Sequence, residues 1–221
     1  MNLVLLGASG GVGQQLGRLA LARGHQIVAV VRPSTTYTPP EGARVVRGDP
    51  ADPSVLDEAL HGADAVLSCL GIKRRSVANP WSAITSPADL ATACARAHTA
   101  AMKRHGVRRI VAVSAAGVGD SGPRMNLVMR ALVATSSIGI AYRDLASMEA
   151  VYAESGLEWL APRPTRLTDG PVSGRVKVVE SFGSFDAISR ADVAAWMLDA
   201  LDLPGWPDPT WGGRTPQITG T

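Results

Sequence analysis

The sequence predicts an α/β protein: a doubly wound fold with a mainly parallel sheet and a small C-terminal region beside it. Three observations carry this expectation. Short apolar runs without clean alternation recur along the chain, as strands covered on both faces require. Helix-like stretches separate those runs, giving strand and helix in alternation from residue 2 to about 200. The first run, Leu3 to Leu6, breaks into three spaced glycines, Gly7, Gly10 and Gly13, and passes straight into an apolar helical pattern at Val12, Leu16, Leu19 and Ala20.

The elements follow in order. Gln26 to Val31 reads as a second buried strand, Arg44 to Arg47 as a short third, Asp64 to Leu70 as a fourth and Arg109 to Ser114 as a fifth. Helices are expected near 11–23, 53–61 and 86–105, the last rich in alanine. Pro53 and Pro87 suit helix starts, where a missing N–H costs little. Residues 117–126 form a loop, helical patterns follow near 125–135 and 142–155, and Glu158 to Ala161 and Arg175 to Glu180 read as further strands. Ser189 carries N-cap chemistry for a helix to about Leu201, and the tail from 204, with its Pro, Gly and Trp residues, is expected to be mostly irregular. The 221 residues suit one domain, with a cofactor half over roughly 1–115 and a substrate-side half over 116–221.

Strand, glycine turn and helix together point to a dinucleotide. Gly7 permits the sharp turn, Gly10 lets the backbone approach a pyrophosphate, and Gly13 lets helix and strand pack closely. The phosphates would face free N–H groups and the positive end of the helix dipole. An NAD site ends its second strand in a carboxylate that holds the ribose hydroxyls; here that place carries Val31-Arg-Pro-Ser-Thr35. Arg32 can pair with a 2′-phosphate, and Ser34 or Thr35 can donate to it, so NADP is the expected cofactor, NADPH over NADH.

Composition narrows the partners. Net charge is +3, and Lys73-Arg-Arg75 and the cluster at Lys103, Arg104, Arg108 and Arg109 are the densest basic patches. No aromatic interleaving or reading motif accompanies them, so no nucleic-acid partner is expected; a phosphate-facing loop suits the first and a solvated helix end the second. Cys69 and Cys94 lack ligand spacing and read as free thiols in a reducing compartment, with no metal site. The first strand begins at once, leaving no room for a leader, and no apolar run approaches the length of a membrane span; a cytoplasmic location is expected.

The turn Gly7-Ala-Ser-Gly-Gly-Val-Gly13 resembles that of the atypical short-chain dehydrogenase/reductase superfamily. Further pieces resemble its NmrA-like and biliverdin-IXβ–flavin reductase-like subgroup: Val30-Val-Arg32, Gly48-Asp49, Asp64-Ala-Val-Leu67, Met102-Lys-Arg-His-Gly-Val107, Val111-Ala-Val-Ser114, Pro162-Arg-Pro-Thr165 and Ser189-Arg-Ala-Asp-Val193. The resemblance spans roughly residues 2–200 and implies a Rossmann fold. It also implies cofactor contacts at Ser9, Gly11 and Val12, at Asp49 and Pro50 near the adenine, and at Cys69, Leu70 and Gly71 near the ribose. Pro162 and Pro164 join that cofactor set, and Ser114 borders the nicotinamide. Loops 72–85 and 115–135 look extended and are expected to overhang the nicotinamide end, which leaves substrate identity open.

The wider superfamily pairs a catalytic tyrosine with a lysine four residues on; here Tyr142 is followed at that spacing by Ala146. Ser114 and Tyr142 remain the catalytic candidates, each with a plain structural alternative: a strand-ending hydroxyl and a packed helix tyrosine. Arg143, Asp144 and Glu149 share the tyrosine's helix, and one of them could face the pocket. His98 and His105 are expected in solvent-exposed or helix-end roles. The resemblance implies an NADPH-dependent reductase of a flavin-like, quinone-like or small carbonyl substrate, a planar small molecule, acting as monomer or homodimer. A non-catalytic NADP-binding redox sensor and an epimerase- or dehydratase-like enzyme of secondary metabolism are the alternatives.

Overall fold

The computed structural model describes residues 1–76, 78–203, 211 and 213–220. Six strands, β1 (Asn2–Leu6), β2 (Gln26–Val31), β3 (Arg44–Arg47), β4 (Ala65–Ser68), β5 (Arg109–Ala112) and β6 (Glu158–Leu160), form one sheet in the order β3-β2-β1-β4-β5-β6. Every pairing in it is parallel. The expected doubly wound fold is therefore present, and the reason lies in the strands: Leu3 to Leu6 and Ala65 to Ser68 are buried throughout, so both faces need cover.

Helices supply that cover in two layers. On one face α1 (Gly11–Ala22) packs against α6 (Arg190–Asp202), burying Leu16 and Ala20 with Val193, Met197 and Leu201 against Leu3, Leu5 and Ile27. On the other, α2 (Pro53–Leu60), α3 (Leu90–His105) and α5 (Ser137–Glu154) enclose Val4, Leu6, Val66 and Ile110. The alanine-rich face of α3 (Ala91, Ala95, Ala101) is spent inside this layer, against the sheet and α5. Small side chains there let helix and sheet approach closely.

The structure departs from the expected elements in several places, most of them in the C-terminal half. α3 begins at Leu90 rather than near 86, so Pro87 precedes the helix; the α3 start is fixed instead by Asp144, which accepts from Ala91 N (2.8 Å) and Thr92 N (2.9 Å). α5 begins at Ser137, five residues early, behind an N-cap at Ser136. A 3-10 turn at Gly119–Arg124 and α4 (Leu127–Thr135) fill the stretch after β5. The tail is not simply irregular: β11 (Gln217–Gly220) is the middle strand of a small sheet, parallel to β7 (Arg163–Pro164) and antiparallel to β9 (Val176–Val178). A second pair joins β8 (Arg166–Thr168) and β10 (Ala187–Ser189) in parallel. Trp211 stacks at a tilt on Trp196, ring centroids 4.9 Å apart, whereas residues 204–210, with Trp206, lie outside the described residues. No helix among the described residues is long and apolar enough to cross a membrane.

Candidate active site

The strand order reverses direction between β1 and β4, and a crevice opens there beyond the carboxyl ends of the strands. Gly7 makes the turn after β1 with φ +79°, a region that side chains rarely adopt, and a Cβ there would lie 2.8 Å from the Cys69 carbonyl oxygen. A Cβ on Gly13 would collide with the Gly7 carbonyl oxygen, so α1 seats against the turn only because Gly13 is bare. Gly10 is the N-cap of α1 with no side-chain cap, and the first turn holds no acid. Its backbone donors face the crevice, which is the arrangement that receives a phosphate.

Two adjoining cavities occupy the crevice. The first, about 230 Å³, runs from Gly7, Ser9 and Gly10 past Leu70 and Gly71 to Arg32, Asp49 and Pro50. Thr35 and Lys73 also line it, whereas Ser34 is exposed and lies outside the lining. Asp49 turns one carboxylate oxygen back on its own loop, accepting from Ala51 N at 2.8 Å. The second, about 220 Å³, shares Gly10, Cys69, Leu70 and Gly71 with the first and extends over Gly11 and Val12 to Ser114, Val113, Leu145, Leu167 and Arg190. Most of the sequence candidates thus line one crevice, with Arg32 and Ser114 at opposite ends, whereas Tyr142, like Ser34, lines neither cavity. Pro162 and Pro164 do not line it; their carbonyls accept from Ser114 N and Ala116 N (both 2.9 Å) and so hold the strand end that carries Ser114.

The expected overhang of the loops takes a different form. Residues 73–75 turn back against residues 83–85, with Arg74 bridged to Ile84, and this places Lys73 beside the Arg32 cavity. No described residue of 115–135 lines either cavity.

Beneath Ser114 lies a network that the sequence reading missed. The Ser114 hydroxyl donates to Glu149 Oε1 at 2.6 Å. Arg163 donates to the same carboxylate through Nε (3.0 Å) and Nη2 (2.6 Å), and through Nη1 to Asp120 (2.6 Å). Ser114, Glu149 and Arg163 are all buried. Burial alone would lower the Arg163 pKa, but the bonds and charges of Glu149 and Asp120 outweigh it and hold it above its ordinary value. Ser114 has spent its only proton on Glu149, so it can turn only lone pairs toward the crevice. Tyr142 likewise donates to the Ala116 carbonyl (2.9 Å), and burial raises its pKa. A signal for Glu149 was present: it sits on the stripe Leu145, Met148, Tyr152, and a carboxylate on a buried stripe demands a cation.

His98 corrects the expectation of an exposed or helix-end histidine: it is 1% exposed. Its Nε2 meets the Pro50 carbonyl (3.0 Å), which can only accept, so Nε2 carries the proton and Nδ1 faces the Tyr152 hydroxyl (3.4 Å). Burial pushes its pKa down to about 4. The neutral ring therefore props the Asp49–Pro50 loop from below. Spacing with Ala91, Ala95 and Met102 on the inner face of α3 was the available sign. Cys69 and Cys94 are free, and burial pushes both thiols up to about 12, which makes them poor nucleophiles.

Comparisons with known proteins agree with this geometry. The sequence profile of the family described as NAD(P)H-binding matches residues 7–204. A 2-alkyl-3-oxoalkanoate reductase of Stenotrophomonas maltophilia is 30% identical over 118 residues, 53% of this chain and 34% of that protein, so the match spans about a third of that relative's length. Among solved structures, the anaerobillin reductase ChuY of Escherichia coli O157:H7 superposes with a TM-score of 0.76 at 24% identity, covering 99% of this chain and 96% of that one. A short-chain dehydrogenase/reductase of Veillonella parvula in complex with NADP gives 0.73 at 20% identity, covering 98% and 93%. At these identities the structural likeness is one of fold.

Proposed function

The chain belongs to the NAD(P)H-binding family, and on that footing we propose that it is an NADPH-dependent reductase of a flavin-like, quinone-like or small carbonyl substrate, with a planar acceptor favoured. The observation that carries this reading is one continuous crevice with an exposed cation, Arg32, at one end and a polarised hydroxyl, Ser114, at the other.

The residues present suit the cofactor. The bare turn at Gly7 and Gly13 and the uncapped start of α1 would receive the pyrophosphate, and Arg32 with Thr35 and Lys73 would take the 2′-phosphate that distinguishes NADPH. Asp49 and Pro50 would border the adenine, and Cys69 to Gly71 the ribose. When bound, the cofactor supplies hydride.

The chain's own contribution at the reacting end is position and an apolar lining. Val113, Leu145 and Leu167 give that cavity apolar walls, and Ser114 offers an acceptor oxygen fixed by Glu149. The hydroxyls of Ser114 and Tyr142 both donate inward, and position 146 is alanine. A conjugated acceptor that takes hydride and draws its proton from water asks for nothing more. The same inward donation favours a second reading, a non-catalytic NADP-binding redox sensor. A cytoplasmic setting without nucleic-acid or membrane partners accompanies either reading.

The test follows NADPH oxidation by the purified protein with FMN as acceptor. Wild-type turnover is expected, lost in Ser114→Ala. In Arg32→Glu, NADPH should lose about a hundredfold in affinity while NADH changes little, since a lost charge-assisted bond is compounded by repulsion. NADPH binding without oxidation of any planar acceptor would favour the sensor; no binding would overturn both.

A further inference from the structure

Arg190 opens α6, in the C-terminal half, yet its side chain crosses the first turn of α1. A Cβ on Gly11 would fall 2.5 Å from Arg190 Cδ and 2.8 Å from Nε, so the bare glycine is what admits the arginine. Gly11 thus has a use beyond the cofactor contact that the resemblance implies for it. Arg190 lines the cavity that holds Gly10, Val12, Gly71 and Ser114, not the one that holds Arg32. Its guanidinium pairs through Nη1 with Asp169 at 2.6 Å, and that carboxylate is 95% exposed. Such a pair contributes little and is released at little cost, whereas a guanidinium fork meets a phosphate with two charge-assisted bonds.

We propose that Arg190 is a phosphate clamp contributed by the C-terminal half: it exchanges Asp169 for the nicotinamide-side phosphate of the dinucleotide and presses it onto the N-terminus of α1. The inference rests on the dinucleotide reading of the crevice. It divides the phosphates among cations from different segments. Arg32 and Lys73 serve the adenosine side, and Arg190 serves the side nearer Ser114. Cofactor binding then depends on α6, which the glycine turn alone would not require.

Binding of two ligands, measured by calorimetry, separates the roles. NADP⁺ carries both bridging phosphates, and 2′,5′-ADP carries only the adenosine-side one with the 2′-phosphate. Arg190→Ala is expected to weaken NADP⁺ about ten- to a hundredfold, the range of a lost charge-assisted hydrogen bond, and to leave 2′,5′-ADP within about twofold. Arg190→Lys, which keeps the charge but loses the fork, should recover part of the loss. Arg32→Ala should weaken both ligands. Arg190→Ala weakening both ligands alike would make the residue a support of the turn and overturn the clamp, as would no effect on either. If the wild type binds neither ligand, the dinucleotide reading fails and takes the clamp with it.

Discussion

The two ends of the crevice are built on opposite plans. At the Arg32 end the exposed cation Arg32, with Lys73, lines the cavity at the tips of β2 and β4, and the buried support beneath them is a neutral imidazole, His98, holding the Pro50 carbonyl. At the Ser114 end the hydroxyl is itself buried and rests on a buried ion pair, Glu149 with Arg163. A phosphate brings its own charge and solvent-facing oxygens, so cations can wait for it in water. A nicotinamide and an apolar acceptor bring little charge, so orientation there has to come from a fixed interior network. Each plan fails in its own way, which makes the contrast testable.

The largest effect should come from breaking the buried pair. Glu149→Ala leaves Arg163 buried with only the exposed Asp120, and should cost about 3–5 kcal/mol of stability. Glu149→Gln, which keeps an acceptor for Arg163, should cost less. Urea unfolding of both variants measures this, and equal losses would mean that the charge of Glu149 carries the whole effect and the acceptor kept by glutamine adds nothing.

The neutral support should reveal itself by pH. His98 has its pKa lowered from the ordinary 6.5 to about 4, so as pH falls the unfolded chain takes up the proton first. Its contribution is complete above pH 6.5 and is lost as pH falls toward 4, in total about 3 kcal/mol. Unfolding free energies at pH 7 and 4.5 should therefore differ less in His98→Gln than in the wild type. An unchanged difference would mean that the ring is not held neutral.

Between the two ends, Gly13→Ala should cost about 1–3 kcal/mol, because its methyl must push α1 off the Gly7 carbonyl. Cofactor affinity should fall with it; a melting temperature and a calorimetric titration on one sample report both. Smallest in stability is Ser114→Ala. It deletes one hydrogen bond to an already paired carboxylate, within about 1 kcal/mol by thermal melt, while the FMN-dependent turnover is lost. Large destabilisation with intact turnover would reverse the assignment of Ser114 as functional.

Sequence reading reached these regions unequally. The sheet, the glycine turn, Arg32, Asp49 and the ends of β4 and β5 were legible because each depends on a few consecutive residues whose period or backbone demand is local. Gly7, Gly10 and Gly13 mark one turn, and a parallel doubly wound sheet then gathers the strand ends into one crevice without further information. Even the misplaced starts of α3 and α5 have a non-local cause at one of them: α3 is capped by Asp144, more than fifty positions away in sequence. The strand at Gln217–Gly220 was invisible for the same reason, since it exists by pairing with β7 and β9 rather than by its own pattern.

By itself, then, the sequence determined the doubly wound scaffold, the family and the crevice between β1 and β4, because short-range periodicity and glycine sterics suffice for them. Only the tertiary structure decided that Ser114 donates to a Glu149 held by Arg163, that His98 is buried under Pro50, and that Arg190 reaches Gly11. Those contacts join residues 14 to 179 positions apart, and which polar groups meet across such separations is settled by packing and desolvation of the whole chain, not by any local pattern.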